Sequence, residues 1–212
     1  MKTSQLIDAL VADPGEKGRG LGARFALAVT AGALASVVLF LLTVGMRADF
    51  VESLSSLRFD LKFVDSLALA LPAALLSWRL MRPDARPRAL AVALLAPFAL
   101  LAAGVVGELS LVPAGLWGAR LIGSNAVHCL VVIPILSIAP LAALLLVMRE
   151  GAAANPRLSG ALAGAASAGI AATLYASNCP DDSPLFVASW YPLATLLVVA
   201  VGAVAGDRLL RW

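Results

Sequence analysis

Long apolar runs alternate with short polar breaks along most of this chain. Phe25 to Met46 carries no charge at all, and a helix needs about 20 apolar residues to span a bilayer. Further runs follow at about 61–81, 89–107, 125–148, 158–177 and 185–206. The second run is the weakest, because only Ser66 to Trp78 is free of charge. Extended from Leu61 to Met81 it reaches full length, with Arg79 snorkelling to the interface and Asp65 in the outer leaflet. Pro134 and Pro140 interrupt the fourth run, which membrane helices tolerate where neighbouring groups satisfy the freed carbonyls. The pattern predicts an all-α integral membrane protein, a six-helix bundle occupying residues 25–212.

Residues 1–24 follow a different rule. Thr3 and Ser4 are good helix N-caps, and Leu6, Ile7, Leu10 and Val11 recur at helical spacing before Asp13-Pro14-Gly15 ends the run. A helix this short is unstable alone in water, so it is expected to fold against a partner or the membrane surface. A glycine-rich basic tether with Lys17, Arg19 and Arg24 joins it to the first span. Ala33-Leu34-Ala35 looks like a signal-peptidase site, but the apolar run continues past it and the leader contains acids.

Composition agrees with the pattern. The 212 residues are 61% hydrophobic and 14% charged, where a soluble domain has about a quarter of its residues charged. The net charge of +3 matters less than where the charges fall. With both termini cytoplasmic, only Arg47, Arg58, Lys62 and Arg120 of the 16 basic residues lie outside. This asymmetry sets the orientation, and it also requires the second span. Trp78 and Trp212 then fall at the inner interface, and Trp117, Tyr175, Trp190 and Tyr191 near the outer one.

The candidate chemistry gathers on the outer side, around the turn Asn178-Cys179-Pro180-Asp181-Asp182-Ser183-Pro184. Cys129 and Cys179 are the two cysteines of the chain, and both are expected there. They can be read as a disulfide, which that compartment permits, or as two small buried hydrophobes. With His128, Asp181 and Asp182 they can also be read as ligands of a soft or borderline metal ion, although no local spacing supports a site. The helix dipole favours a thiolate at Cys129, whereas the acids beside Cys179 favour its thiol. Asp181, Asp182 and Ser183 are expected to cap the sixth helix. Asp65 and Glu108 are expected to pair with Arg58, Lys62 or Arg120. Gly160/Gly164 and Gly202/Gly206 permit close helix packing.

Leu6-Ile-Asp-Ala-Leu-Val-Ala-Asp13, the six spans, Cys179-Pro-Asp-Asp-Ser-Pro-Leu-Phe186, Trp190-Tyr191 and Arg208-Leu-Leu-Arg-Trp212 together resemble the NrsF family over essentially the whole chain. Members of that family are bacterial inner-membrane anti-sigma factors for extracytoplasmic-function sigma factors of the sigma-F type. The resemblance implies that the cytoplasmic N-terminus holds the sigma factor, with Leu6, Ile7, Asp8, Leu10 and Asp13 as the candidate contacts. It also implies that Cys129 and Cys179, beside the turn Pro180 to Ser183, sense heavy-metal or oxidative stress. The expected partners are that sigma factor and the lipid bilayer, without direct nucleic-acid contact. No resident cofactor is expected beyond a transient metal ion, with His128 as a further ligand, or a disulfide.

No phosphate loop, zinc-protease HExxH or nucleophile elbow is present, so the chain does not read as an enzyme. Rival readings remain, among them a purely structural membrane subunit in a constant, redox-insensitive complex. A small-solute or metal transporter could use a three-plus-three arrangement of spans, but polar groups at the membrane midplane are scarce. A membrane thiol oxidoreductase would need a second cysteine pair or a bound quinone.

Overall fold

The structure, a computed structural model, describes residues 3, 5, 20–82 and 88–211, and these are helical wherever they are regular. The helices are α1 (Leu21–Thr43), α2 (Phe50–Ser53), α3 (Leu57–Leu80), α4 (Arg88–Ala93), α5 (Ala96–Leu111), α6 (Trp117–Ile122), α7 (Ala126–Met148), α8 (Pro156–Ala176) and α9 (Pro184–Leu209). A single 3-10 turn, Ala114–Leu116, precedes α6.

Among the described residues five stretches are long and apolar enough to cross a membrane: Leu21–Thr43, Arg88–Leu111, Ala114–Met148, Pro156–Ala176 and Pro184–Leu209. The second expected span, 61–81, is α3. Its 24 residues would reach about 36 Å, but it carries Arg58, Asp60, Lys62, Asp65 and Arg79 and is not among those five stretches. The expected span at 89–107 is two helices, α4 and α5. Pro97 stands at the start of α5, where its missing N–H and its ring break the ladder.

Small residues set the packing. Apolar side chains gain little by leaving lipid for protein, so helices associate there through close contact and interhelical hydrogen bonds. The Ala/Gly/Ser-rich α8 is the central helix, with α3, α7 and α9 against it. Its Gly160 and Gly164 face Gly202, Gly206 and Val198 of α9 so closely that a Cβ on either would collide with backbone. The two expected glycine pairs therefore pack against each other within one chain. Likewise a Cβ on Gly169 would lie 2.8 Å from Ala70 of α3.

Helix α1 packs on α7 by the same logic. A Cβ on Gly32 would sit 2.6 Å from the Cα of Pro140. Pro140 also leaves the carbonyl of Leu136 without its helical donor, and the Ser36 hydroxyl of α1 donates to that oxygen at 2.6 Å. The freed carbonyl is thus satisfied from a neighbouring helix, as the interrupting prolines require.

One aromatic expectation fails. Trp117 is partly exposed and Trp190 half-buried, but Tyr175 and Tyr191 are buried in the bundle and form no interfacial belt. Both belong to a core cluster with Cys129, Cys179, Phe186 and Val187, so their position near the helix ends reflects packing.

Candidate functional site

The turn between α8 and α9 binds the other connections at its end of the bundle. The Asn178 amide donates to the Gly45 carbonyl at 3.0 Å, and the Arg47 amide donates to the Ser177 carbonyl at 3.1 Å. These bonds hold the α1–α2 connection. Arg47 then turns its guanidinium onto Asp182, with Nη1 at 3.0 Å from Oδ2, and onto Asp49 at 2.6 Å.

Lys62 enters the same centre from α3. Its Nζ lies 2.6 Å from Asp182 Oδ1 and donates to the Cys179 carbonyl at 2.8 Å. The lysine is fully buried, and so is Phe59 one turn before it. The Phe59 ring sits under both cations, 5.1 Å from Lys62 Nζ and 5.5 Å from the Arg47 guanidinium. A buried ammonium survives only with a close anion and further hydrogen bonds, and Asp182, the Cys179 carbonyl and the ring supply these.

Asp181 reaches the opposite way. Its Oδ2 accepts from the amides of Ser124 and Asn125 at 3.0 and 2.9 Å, at the start of α7. The carboxylate of this turn therefore holds the two residues that lead into α7 and does not cap α9. Gly123, just before, adopts φ +59°, and a Cβ there would lie 2.9 Å from the Asp181 carboxyl carbon and against the Phe186 ring. Only glycine fits both the left-handed backbone and the space.

Ser183 is the N-cap residue of α9, but its side chain caps nothing. Its hydroxyl instead donates to Glu108 Oε2 at 2.9 Å, at the end of α5. The other oxygen of the buried Glu108 lies 2.6 Å from Arg120 of α6. The expected capping of the sixth span by Asp181, Asp182 and Ser183 is thus corrected. Each side chain is drawn to a different neighbour, because α3, α5 and α7 all bring a partner to this turn. Pro180 is exposed at the tip.

Glu108 pairs with Arg120 as expected, but Asp65 pairs with none of Arg58, Lys62 and Arg120. Its nearest candidate on the same helix, Lys62, is already committed to Asp182.

Cys129 on α7 and Cys179 in the turn are both fully buried free thiols in one cluster. Burial pushes the Cys179 thiol above its ordinary range, with the Lys62 charge opposing. The expected reactivity of Cys129 through the helix dipole is offset by its lack of solvent access. His128 is exposed, one position along from the buried Cys129 on the same helix. Its ring stands 6.1 Å from that of Tyr175. Among the described residues no three His, Cys, Asp or Glu side chains group as metal ligands, so His128, Cys129 and Cys179 are not brought together as a preformed site. The N-terminal candidates Leu6, Ile7, Asp8, Leu10 and Asp13, and the terminal Trp212, lie outside the described residues.

Sequence reasoning missed Arg47 and Lys62 as partners of the turn. One signal was present: Lys62 is the sole lysine after residue 17, in a stretch otherwise expected to cross the membrane.

Fold and site together define an all-helical protein, with five stretches among the described residues long and apolar enough to cross a membrane, whose connections at one end converge on a single polar turn. The family model for NrsF, described as "Negative regulator of sigma F", matches residues 10–212, and the chain belongs to that family. It is 33% identical to the "Probable anti-sigma-F factor NrsF" of Azospira oryzae, with both chains covered end to end. It is 32% identical to the "Anti-sigma-F factor NrsF" of Caulobacter vibrioides, again over the full length of both. No solved structure matches the chain. The family is a regulatory one.

Proposed function

We propose that this protein is an anti-sigma factor of the bacterial cytoplasmic membrane that restrains an extracytoplasmic-function sigma factor through residues 1–24. The observation that carries this reading is the end-to-end match to two anti-sigma-F factors. Leu6, Ile7 and Leu10 supply an apolar stripe for the sigma factor, flanked by Asp8 and Asp13. In this reading α3 is the sixth crossing, both termini are cytoplasmic, and the Cys179 turn faces the outside. Supporting the crossing, the charges of α3 lie towards its two ends, with Arg58, Asp60, Lys62 and Asp65 in its first half and Arg79 in its last turn, and the deepest cation, Lys62, is neutralised by Asp182.

The signal acts at Cys129 and Cys179, through oxidation to a disulfide or capture of a thiophilic metal ion. Both thiols are buried, so the signal must first loosen the turn. The Cys179 carbonyl is a ligand of Lys62 and Arg47, so a change at this cysteine pulls directly on the links to α1, α3 and α9. A tenfold change in sigma affinity needs only about 1.4 kcal/mol of coupling. A new covalent or metal–thiolate bond that rearranges this network can provide that.

The test uses the full-length protein in lipid nanodiscs. Purified sigma factor binds the wild type and fails to bind Leu6→Asp/Leu10→Asp. Cadmium or a mild oxidant releases it from the wild type but not from Cys129→Ser/Cys179→Ser. Sigma binding without any release would retain the anti-sigma role and reject the cysteines as its sensor.

A further inference from the structure

Asp65 is buried on α3, and its Oδ1 meets no hydrogen-bond donor among the described residues. It borders a cavity of about 130 Å³ between α3, α5 and α9, walled by Phe98, Leu101, Tyr191, Thr195 and Leu196. Phe98 and Leu196 at the rim are themselves exposed on the outer surface of the bundle, where lipid would lie. The neighbouring Ser66 hydroxyl is turned away, donating to the Lys62 carbonyl at 2.8 Å. The Tyr191 hydroxyl is also buried without a partner.

An unpaired acceptor at the end of an apolar cavity is unfavourable, and an acid inside a membrane-spanning segment is a default candidate for a functional site. Lys62 does not relieve it, because that ammonium is held by Asp182 and the Cys179 carbonyl, and the Tyr191 hydroxyl on the same cavity makes no bond to it. The complement is an apolar body with a single hydrogen-bond donor. The volume sets the size, since an apolar cavity of about 150 Å³ holds one benzene ring. We propose that this cavity is a binding site, open to the bilayer, for a lipophilic phenol or hydroquinone, whose ring fills the apolar space and whose hydroxyl donates to Asp65. The alkyl tail leaves between Phe98 and Leu196 into lipid. Binding is reversible and makes no covalent bond.

The inference rests on α3 crossing the membrane. It is tested on the full-length protein in nanodiscs with a photoreactive alkylphenol, mapping the label by mass spectrometry. Labelling is expected to saturate and to fall on α3, α5 or α9 beside the cavity. Unlabelled alkylphenol should compete at least about tenfold better than its methyl ether, which lacks the donor. Asp65→Leu should weaken labelling at least about tenfold, and Thr195→Phe, which fills the cavity, should do the same. The variants are compared only where their thermal unfolding matches the wild type, and either one alone decides the matter. Equal competition by the methyl ether, better competition by an alkylamine, labelling that does not saturate, or full labelling of either variant would each overturn the proposal. Topology is read separately: Leu71→Cys, at an exposed position on the outer face of α3, in a cysteine-free background stays unreactive to an aqueous maleimide if α3 lies in the membrane, whatever happens to phenol binding.

Discussion

The two ends of this bundle are tied together in different ways. At one end, a fully buried lysine, a nearly buried arginine and a buried glutamate share their hydrogen bonds with the turn between α8 and α9. At the other, Arg24 at the start of α1 meets Glu150 after α7 at 3.0 Å, and both side chains are more than 40% exposed. Beside that pair, the Ala152 amide donates to the Met81 carbonyl at 2.9 Å. Charges removed from water are costly to separate, and exposed pairs are screened and worth little. The first end is therefore built to hold one arrangement. The second, where the N-terminal segment joins, is built to yield. In the proposed mechanism, a signal that loosens the first end is expressed as movement at the second.

The contrast can be broken most forcefully at Asp182. Asp182→Ala leaves the buried Lys62 ammonium without its anion and should cost about 3–5 kcal/mol in unfolding experiments in detergent. Gly123→Ala comes next. It forces an L side chain into a left-handed backbone and against Phe186 and Asp181, with an expected loss of about 2 kcal/mol or more. Asp181→Ala leaves the Ser124 and Asn125 amides that lead into α7 without their acceptor and should cost about 1–2 kcal/mol, with hydrogen exchange rising first at residues 124–129.

The opposite end should barely respond. Arg24→Ala or Glu150→Ala is expected to change stability by no more than about 1 kcal/mol, an effect that salt erases. A loss as large as that of Asp182→Ala would remove the distinction between the ends. The smallest effect concerns pH at the first end. Hydrogen bonds from Arg47 lower the Asp49 carboxyl from 3.8 to about 2. A lowered value in the folded state means that the contribution is complete above 3.8 and disappears as pH falls through about 2. The Asp49 carboxyl should titrate near 2 by NMR in the wild type and return toward its ordinary value in Arg47→Gln.

What was legible in the sequence follows the reach of each interaction. Helix runs depend on neighbours a few residues apart, so the expected spans 25–46, 125–148, 158–177 and 185–206 each lie within a few residues of α1, α7, α8 and α9. Pro97 divides the third run into α4 and α5, a local defect, yet Arg88–Leu111 remains one apolar stretch long enough to cross a membrane. The glycine pairs of α8 and α9 were legible because spacing alone puts them on one face. The partners of Asp181, Asp182 and Ser183 were not. They lie 57, 120 or 135, and 75 residues away, at Ser124, Lys62 or Arg47, and Glu108. Reading the turn locally suggested caps for the next helix, and three distant partners outcompeted that role. Tyr175 and Tyr191 were misplaced for a related reason. Nearness to a helix end was read as interface, but both face the cysteine cluster.

The most direct measurement is sigma-factor affinity of the full-length protein in nanodiscs, for the wild type and for Asp182→Ala, with hydrogen exchange confirming that the spans remain folded. A loosened turn at one end should weaken sigma binding at the other by about tenfold or more. Unchanged affinity, in a variant whose turn has demonstrably opened, would contradict the coupling of the two ends.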